Sequence, residues 1–301
     1  MLGSLSVYAA LAFTIAAWSG SFVAARMLLS PMDVGEPALS PTLLATIRFL
    51  LASAVFVPML LRQHTRTRPI QRRDLPLFLL LGQLGISGYF WLQYTGVKLT
   101  NAGVSAVLAV SVIPLATMVI SALVLRESMT WRRTLALAMG VAGVVIVVSQ
   151  QSLEVSIETG FLFGALCHVA NGLGFAVYSV LIRSLSVRYS SVTVTGGIMV
   201  SGTIGLVLLA LVTEDWTSAT RLSGAQWLAI LYLVGACSVL AYLLYNYALK
   251  RLEASKVAAW LYTEPVLAVV LAAVMLGETV ALQTVLGAAV ILTGLYITQR
   301  T

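Results

Sequence analysis

Three ionisable side chains stand deep inside long apolar runs of this sequence: Glu264, Arg48 and His168. A charged group held in a bilayer costs a few kcal/mol at least, so each is a candidate for chemistry. Glu264 can take an ammonium group or a proton; the alternative is a structural ion pair. Pro265 follows it, and its missing N–H frees a carbonyl and bends a helix where a cavity can open. Trp260 precedes Glu264 by one turn on the same helical face, with Val257 and Ala268 continuing the stripe. Arg48 offers a planar fork of donors suited to a carboxylate; the alternative is that it locks its helix to a neighbour. His168 either relays protons near neutral pH or sits hydrogen-bonded in the interior. Asn171 lies three residues on, and Phe175 and Tyr178 extend that face. Tyr242 with Asn246, and Tyr89 with Gln93, are spaced i, i+4, so each pair lines a polar cavity or bridges neighbouring helices. Trp18, Trp91 and Trp260 fall well inside apolar segments, where they stack on an apolar ligand or pack against glycine-rich neighbours.

The elements that must position these groups follow from composition. Of 301 residues, 59% are hydrophobic and 10% charged. A water-soluble domain carries about 25% charge, so this chain belongs in a bilayer. Its apolar residues come in unbroken runs, such as Leu75–Leu81 and Val104–Val112, and do not alternate as in an outer-membrane barrel. Breaks of charge, Pro and Gly predict ten helices near 6–28, 41–62, 75–97, 102–125, 132–150, 159–182, 191–213, 225–249, 255–276 and 282–299. At about 20 residues per span they leave no room for a second, soluble domain. The first run has no Lys or Arg before it and reads as a retained helix. Cys167 and Cys237 both fall in apolar runs and read as small packing residues.

Most of the 18 Lys and Arg, including Arg62, Arg72, Arg126, Arg132, Arg188, Lys250 and Arg300, fall in the even-numbered connections or at the C-terminus. Cations stay on the cytoplasmic side, so both termini are placed there. Arg26 and Lys98 fall near the opposite side, as do the acids Asp33, Glu36, Glu214, Asp215 and Glu278. The formal charge of +7 is therefore mostly a topology signal. No aromatic residue interleaves the basic stretch Arg62–Arg73, so a nucleic-acid partner is not expected.

The chain also repeats. An offset of 151 residues places Pro114 on Pro265, Val119 on Val270, Ala122 on Ala273, Glu127 on Glu278 and Gly143 on Gly294. Five spans per half is an odd number, so the second half enters from the opposite side, giving an inverted repeat of 1–150 and 151–301. Ile113 aligns with Glu264, which makes the acid peculiar to the second half. No phosphate loop, H-E-x-x-H or G-x-S-x-G motif occurs, and only two histidines exist. The sequence therefore shows no ATP hydrolysis, no metal or cofactor site and no catalytic constellation, and a gradient-driven transporter is the expectation.

Three features carry a resemblance: Trp18-Ser19-Gly20-Ser21-Phe22, Arg48-Phe49, and the Pro-x12-Glu signature repeated as Pro114…Glu127 and Pro265…Glu278. Together with the ten spans they resemble two EamA repeats of the drug/metabolite transporter superfamily, most similar to its YddG-type aromatic amino acid exporters. The resemblance implies a basket of ten helices around a central cavity, with the fifth and tenth peripheral. The expected function is export of amino acids, aromatic or hydrophobic, across a bacterial inner membrane by alternating access. Glu264, Arg48, Trp18, Trp260, His168, Asn171, Tyr242, Asn246, Tyr89 and Gln93 are the expected cavity residues. Pro114 and Pro265 are the expected bends for gating, and a proton is a candidate co-substrate. Alternatives in the same superfamily are drugs, nucleobases or nucleotide sugars, the last wanting more cations than Arg48. A membrane-embedded enzyme or a channel is the remaining alternative. Nothing in the sequence specifies an oligomeric state.

Overall fold

The computed structural model describes residues 2–31, 36–64, 70–124, 131–149, 159–249, 251, 261 and 263–299, and among these no strand occurs. The helices are α1 (Leu2–Leu29), α2 (Pro41–His64), α3 (Leu75–Gly82), α4 (Gly88–Leu99), α5 (Ala102–Val124) and α6 (Trp131–Ser149). They continue with α7 (Thr159–Ser186), α8 (Ser191–Thr213), a single turn α9 (Thr217–Thr220), α10 (Gly224–Tyr232) and α11 (Ala241–Leu249). The last two are α12 (Glu264–Leu276) and α13 (Leu282–Gln299). Six helical stretches among the described residues are long and apolar enough to cross a bilayer, and four shorter apolar helices complete the set. The protein is an all-α polytopic membrane protein.

Exposure is inverted relative to a soluble protein. Val212 and Val274 are 86% and 77% exposed, while Arg48, His168, Asn171 and Glu264 are buried. Lipid covers the first kind of side chain without penalty, and the second must be satisfied by protein. Trp91, expected in the interior, is partly exposed on the outside of α4. Cys167 and Cys237 are buried thiols, as packing residues should be.

Helix starts are chemically marked. Ser190 caps α8 by accepting from the Thr193 N–H at 3.1 Å. Ser223 and Gln226 form a reciprocal capping box at α10, and the Gln226 amide also donates to the Pro37 carbonyl at 2.9 Å. Two spans are built from two helices joined by a wider π-type turn, Gln83–Ser87 between α3 and α4 and Leu233–Leu240 between α10 and α11. Such turns rotate the side chains that follow and often mark functional positions.

The packing is reciprocal. α1 lies against α11 and α12, and α7 lies against α4 and α5; α2 packs on α8, α5 on α12 and α6 on α13. The main partners of α1, α11 and α12, are therefore the repeat-offset counterparts of α4 and α5, the main partners of α7. Glycines set the closest crossings. A methyl at Gly143 would come within 2.7 Å of the Gly287 carbonyl, and one at Gly287 within 2.6 Å of the Gly143 carbonyl. Gly82 and Gly202 approach equally closely between α3 and α8. In lipid, where no hydrophobic drive joins helices, such close van der Waals contact is the main source of association.

Two polar clusters tie the helix ends. At one end Arg26 donates to the Val97 and Lys98 carbonyls at 3.0 and 2.8 Å, and its Nε lies 4.0 Å from Glu278. Gly277, at φ +65°, ends α12 and turns the chain toward α5. Glu278 then accepts from the Ala102 and Gly103 N–H groups at 2.9 and 3.2 Å. An anion at a helix start and a cation at a helix end both complement the backbone dipole. At the other end Asp74 accepts from Arg188 and from the Tyr189 hydroxyl, joining the start of α3 to the α7–α8 turn.

The crossing of α6 and α13 gives a direct test. Gly287→Val should lower the stability of the detergent-solubilised protein by about 1–3 kcal/mol, as overpacking does. Gly174→Ala, where an added methyl meets nothing within 4 Å, should leave the melting temperature unchanged or raise it. Equal melting of the two variants would contradict the assigned crossing.

Candidate functional site

Ser40 starts α2 by accepting from the Leu43 N–H at 3.0 Å, and two turns later the helix carries Arg48 into the interior. Arg48 is 3% exposed. Its Nε donates to the Ser238 hydroxyl at 2.8 Å and its Nη1 to the Tyr94 hydroxyl at 2.6 Å. The guanidinium carbon lies 4.6 Å from the Phe90 ring centre and 5.2 Å from that of Phe49. Ring faces carry partial negative charge, so the two phenyl groups support the cation without neutralising it. No carboxylate comes within ion-pair distance among the described residues, and the remaining guanidinium N–H groups have no acceptor there. Ser238 reaches this position because it sits in the π-type turn.

Glu264 is the buried first residue of α12, and Pro265 is the second. Pro265 thus stands in the first turn of α12, just after the turn at Thr263, where proline costs nothing because the first N–H groups have no intrahelical partner anyway; residues 252–260, over which the expected bend would show, lie outside the described residues. In the first half, by contrast, α5 runs on through Pro114. The Glu264 carbonyl accepts from the Ser19 hydroxyl of α1 at 3.1 Å. Its side-chain carboxylate has neither a hydrogen-bond donor nor a cation among the described residues, and only the helix N-terminus offers it partial positive charge.

Aromatic groups lie near both charges. Tyr89 and Tyr242 are each within electrostatic reach of both Arg48 and Glu264. Trp18 meets Tyr242 edge-on with ring centres 5.5 Å apart, packs on Tyr245 at 5.3 Å, and is held by a 3.1 Å hydrogen bond from its indole N–H to the Cys237 carbonyl. On the opposite side Tyr89 contacts Phe175 at 5.0 Å, and Phe175 contacts Tyr178 at 5.1 Å. The structure therefore gathers Trp18, Arg48, Tyr89, Tyr242 and Glu264 into one region. Gln93, His168 and Asn171 form a second group, packed into the α4–α7 interface: the Asn171 amide donates to the Tyr89 carbonyl at 2.7 Å, and the His168 ring presses on Gly96. Trp260 and the side chains of Asn246 and Pro114 lie outside the described residues.

Sequence reading missed Tyr94, Phe90, Ser238 and Ser19. The Phe90–Tyr94 pair repeats the i, i+4 spacing of Tyr89–Gln93 one position on, which places it on the neighbouring face toward α2. Serines in apolar runs carry no comparable signal, because only the π-type turn aims Ser238 at Arg48.

Comparison with known proteins adds the following. The model of the EamA-like transporter family matches residues 5–149 and again 162–300. The chain is 28% identical to the uncharacterized transporter YyaM of Bacillus subtilis, over 91% of this chain and 88% of that protein. It is 27% identical, over 97% of this chain and 92% of the other, to a protein of Streptantibioticus cattleyicolor named a probable terminal-alkyne amino-acid exporter. A crystal structure at 22% identity superposes with a TM-score of 0.66, covering 97% of this chain and 96% of the other, and shows a shared fold.

The Arg48 network predicts specific losses. Tyr94→Phe or Ser238→Ala leaves a buried charged donor unpaired and should destabilise the protein by about 1.5–3 kcal/mol in detergent unfolding. Arg48→Lys, which keeps the charge but loses the fork and the stacking, should not restore the wild-type midpoint. A wild-type midpoint in all three would mean that these contacts do not hold the guanidinium.

Proposed function

Because the chain belongs to the EamA-like transporter family, we propose that it is a secondary transporter exporting amino acids, aromatic or hydrophobic ones foremost, from a bacterial cell across the inner membrane. One observation carries the reading: a buried cation and a buried carboxylate both lie within electrostatic reach of Tyr89 and Tyr242, yet neither has an ionic partner among the described residues. Unpaired charges are expensive in an apolar interior. A zwitterion relieves both at once, its carboxylate on the free N–H groups of Arg48 and its ammonium at Glu264. Trp18, Tyr89 and Tyr242 then flank its side chain. The naming of the Streptantibioticus relative as an amino-acid exporter supports this substrate class.

Two inverted five-helix halves, 1–150 and 151–301, would rock around this site with both termini in the cytoplasm, a reading supported by the reciprocal helix packing and by the placement of Lys and Arg. In that orientation the Arg26–Glu278 cluster closes the extracytoplasmic end, and the start of α12 at Glu264 and Pro265 is the hinge. Protonation of Glu264 offers a route to proton coupling, since a carboxylate that can take an ammonium can also take a proton. A nucleotide sugar fits less well, because Arg48 is the single cation at the site among the described residues.

Proteoliposomes loaded with labelled Phe, Trp or Thr test the proposal. Glu264→Gln and Arg48→Ala should each lower efflux about 10-fold or more, as loss of a charge-assisted hydrogen bond predicts. Phenethylamine, which lacks the carboxylate, should not compete with Phe. Unchanged efflux in both variants, or competition by the amine equal to that of Phe, would remove the zwitterion reading.

A further inference from the structure

We propose that the α4–α7 interface contains an internal hydration site, in which ordered water is bound by Gln93, His168 and Asn171. The two helices run antiparallel with a fixed register. Gly164 of α7 packs on Leu99 and Thr100, the His168 ring on Gly96, Asn171 on the Tyr89 carbonyl, and Tyr178 on Gly85. Gln93 falls between Gly96 and Tyr89 on the same stripe of α4, which sets it level with His168 and Asn171.

All three side chains are more than nine-tenths buried, at 6%, 0% and 1% exposure for Gln93, His168 and Asn171. Among the described residues four of their atoms have no hydrogen-bond partner: Gln93 Oε1, both ring nitrogens of His168, and Asn171 Oδ1. The Asn171 amide cannot be turned around, because only its nitrogen can donate to the Tyr89 carbonyl. Its oxygen is therefore a true acceptor. A neutral imidazole presents one N–H donor and one acceptor.

The set thus asks for a ligand that donates to two amide oxygens and accepts from an imidazole N–H. One water molecule does this with its two O–H groups and a lone pair, at the Nδ1 edge of the ring, since the Nε2 edge is packed on Gly96. The same set suits a metal cation poorly. It holds no carboxylate, and among the described residues no group of three His, Cys, Asp or Glu side chains could hold a metal. The glycine opposite His168 keeps α4 close while offering no side chain to close the site with protein. The proposal does not depend on which solute is carried.

X-ray radiolysis of the full-length protein in nanodiscs, in water enriched in oxygen-18 and read by mass spectrometry, tests this directly. Activated bound water oxidises the side chains it touches, so His168 should take up label several-fold faster than Phe56, which is equally buried in the apolar core. Labelling of His168 no faster than that of Phe56 would show a dry interface and overturn the proposal. Suppression of the label several-fold by sodium chloride relative to choline chloride would show that a cation occupies the site, which also overturns it. The variants Gln93→Met and Asn171→Leu should each lower His168 labelling several-fold; unchanged labelling in both would remove them as ligands. Melting gives an independent readout. If the Gln93 oxygen were unhydrated, Gln93→Met would raise the melting temperature and overturn the proposal, whereas loss of bound water should leave it unchanged or lower it.

Discussion

The constraint on which the structure depends is the burial of a guanidinium that has no acid beside it among the described residues. Arg48 cannot shed its proton, so its charge must be spread over whatever the protein supplies. Tyr94 and Ser238 supply lone pairs, and Phe49 and Phe90 supply ring faces. These groups come from α2, α4 and the turn before α11, so holding one side chain fixes the mutual rotation of three elements. The π-type turn of Leu233–Leu240 is part of the same solution. It brings the Ser238 hydroxyl to Arg48 and leaves the Cys237 carbonyl to orient Trp18. A regular helix would carry those two residues to other azimuths.

Around this centre the frame is assembled by close backbone approach. The Gly143–Gly287 and Gly82–Gly202 crossings bring helices together where side chains would hold them apart. The reciprocal packing of α1 and α7 gives each half the same set of neighbours, and the two polar clusters pin opposite helix ends. Both clusters rely on backbone as much as on ion pairing. Glu278 satisfies the first N–H groups of α5 and Arg26 the last carbonyls of α4, groups that a helix in lipid cannot leave open.

Much of this was legible in the sequence, for a definite reason. A bilayer demands apolar runs of fixed length, so the ten segments stand out, and any charge within them is conspicuous. That logic located Arg48, Glu264 and His168 before any coordinates. It did not locate their partners, since Tyr94 and Ser238 are unremarkable in composition and become neighbours of Arg48 only through tertiary packing. It also did not distinguish a kink at Pro265 from a first helical turn there. Proline is compatible with a kink or a first turn, and residues 255–276 read as one apolar run, so the sequence holds no mark of the helix start at Glu264. Trp91 fails similarly: in a membrane helix an aromatic residue is equally at home facing lipid or protein.

The reciprocal frame holds a site that is not reciprocal. Glu264 aligns with Ile113, and a helix starts beside it where α5 continues unbroken. Duplicated halves lend themselves to two related arrangements of nearly equal energy, because each contact has a counterpart of the same kind. A site of the same symmetry would present equal poles and bind a dipolar solute in either direction. With the cation on α2 and the carboxylate on α12, the poles differ, and under the proposed function one orientation of a zwitterion would be favoured over its reverse. The divergence at Ile113 and Glu264 would then be what lets a near-symmetric scaffold recognise an unsymmetric molecule.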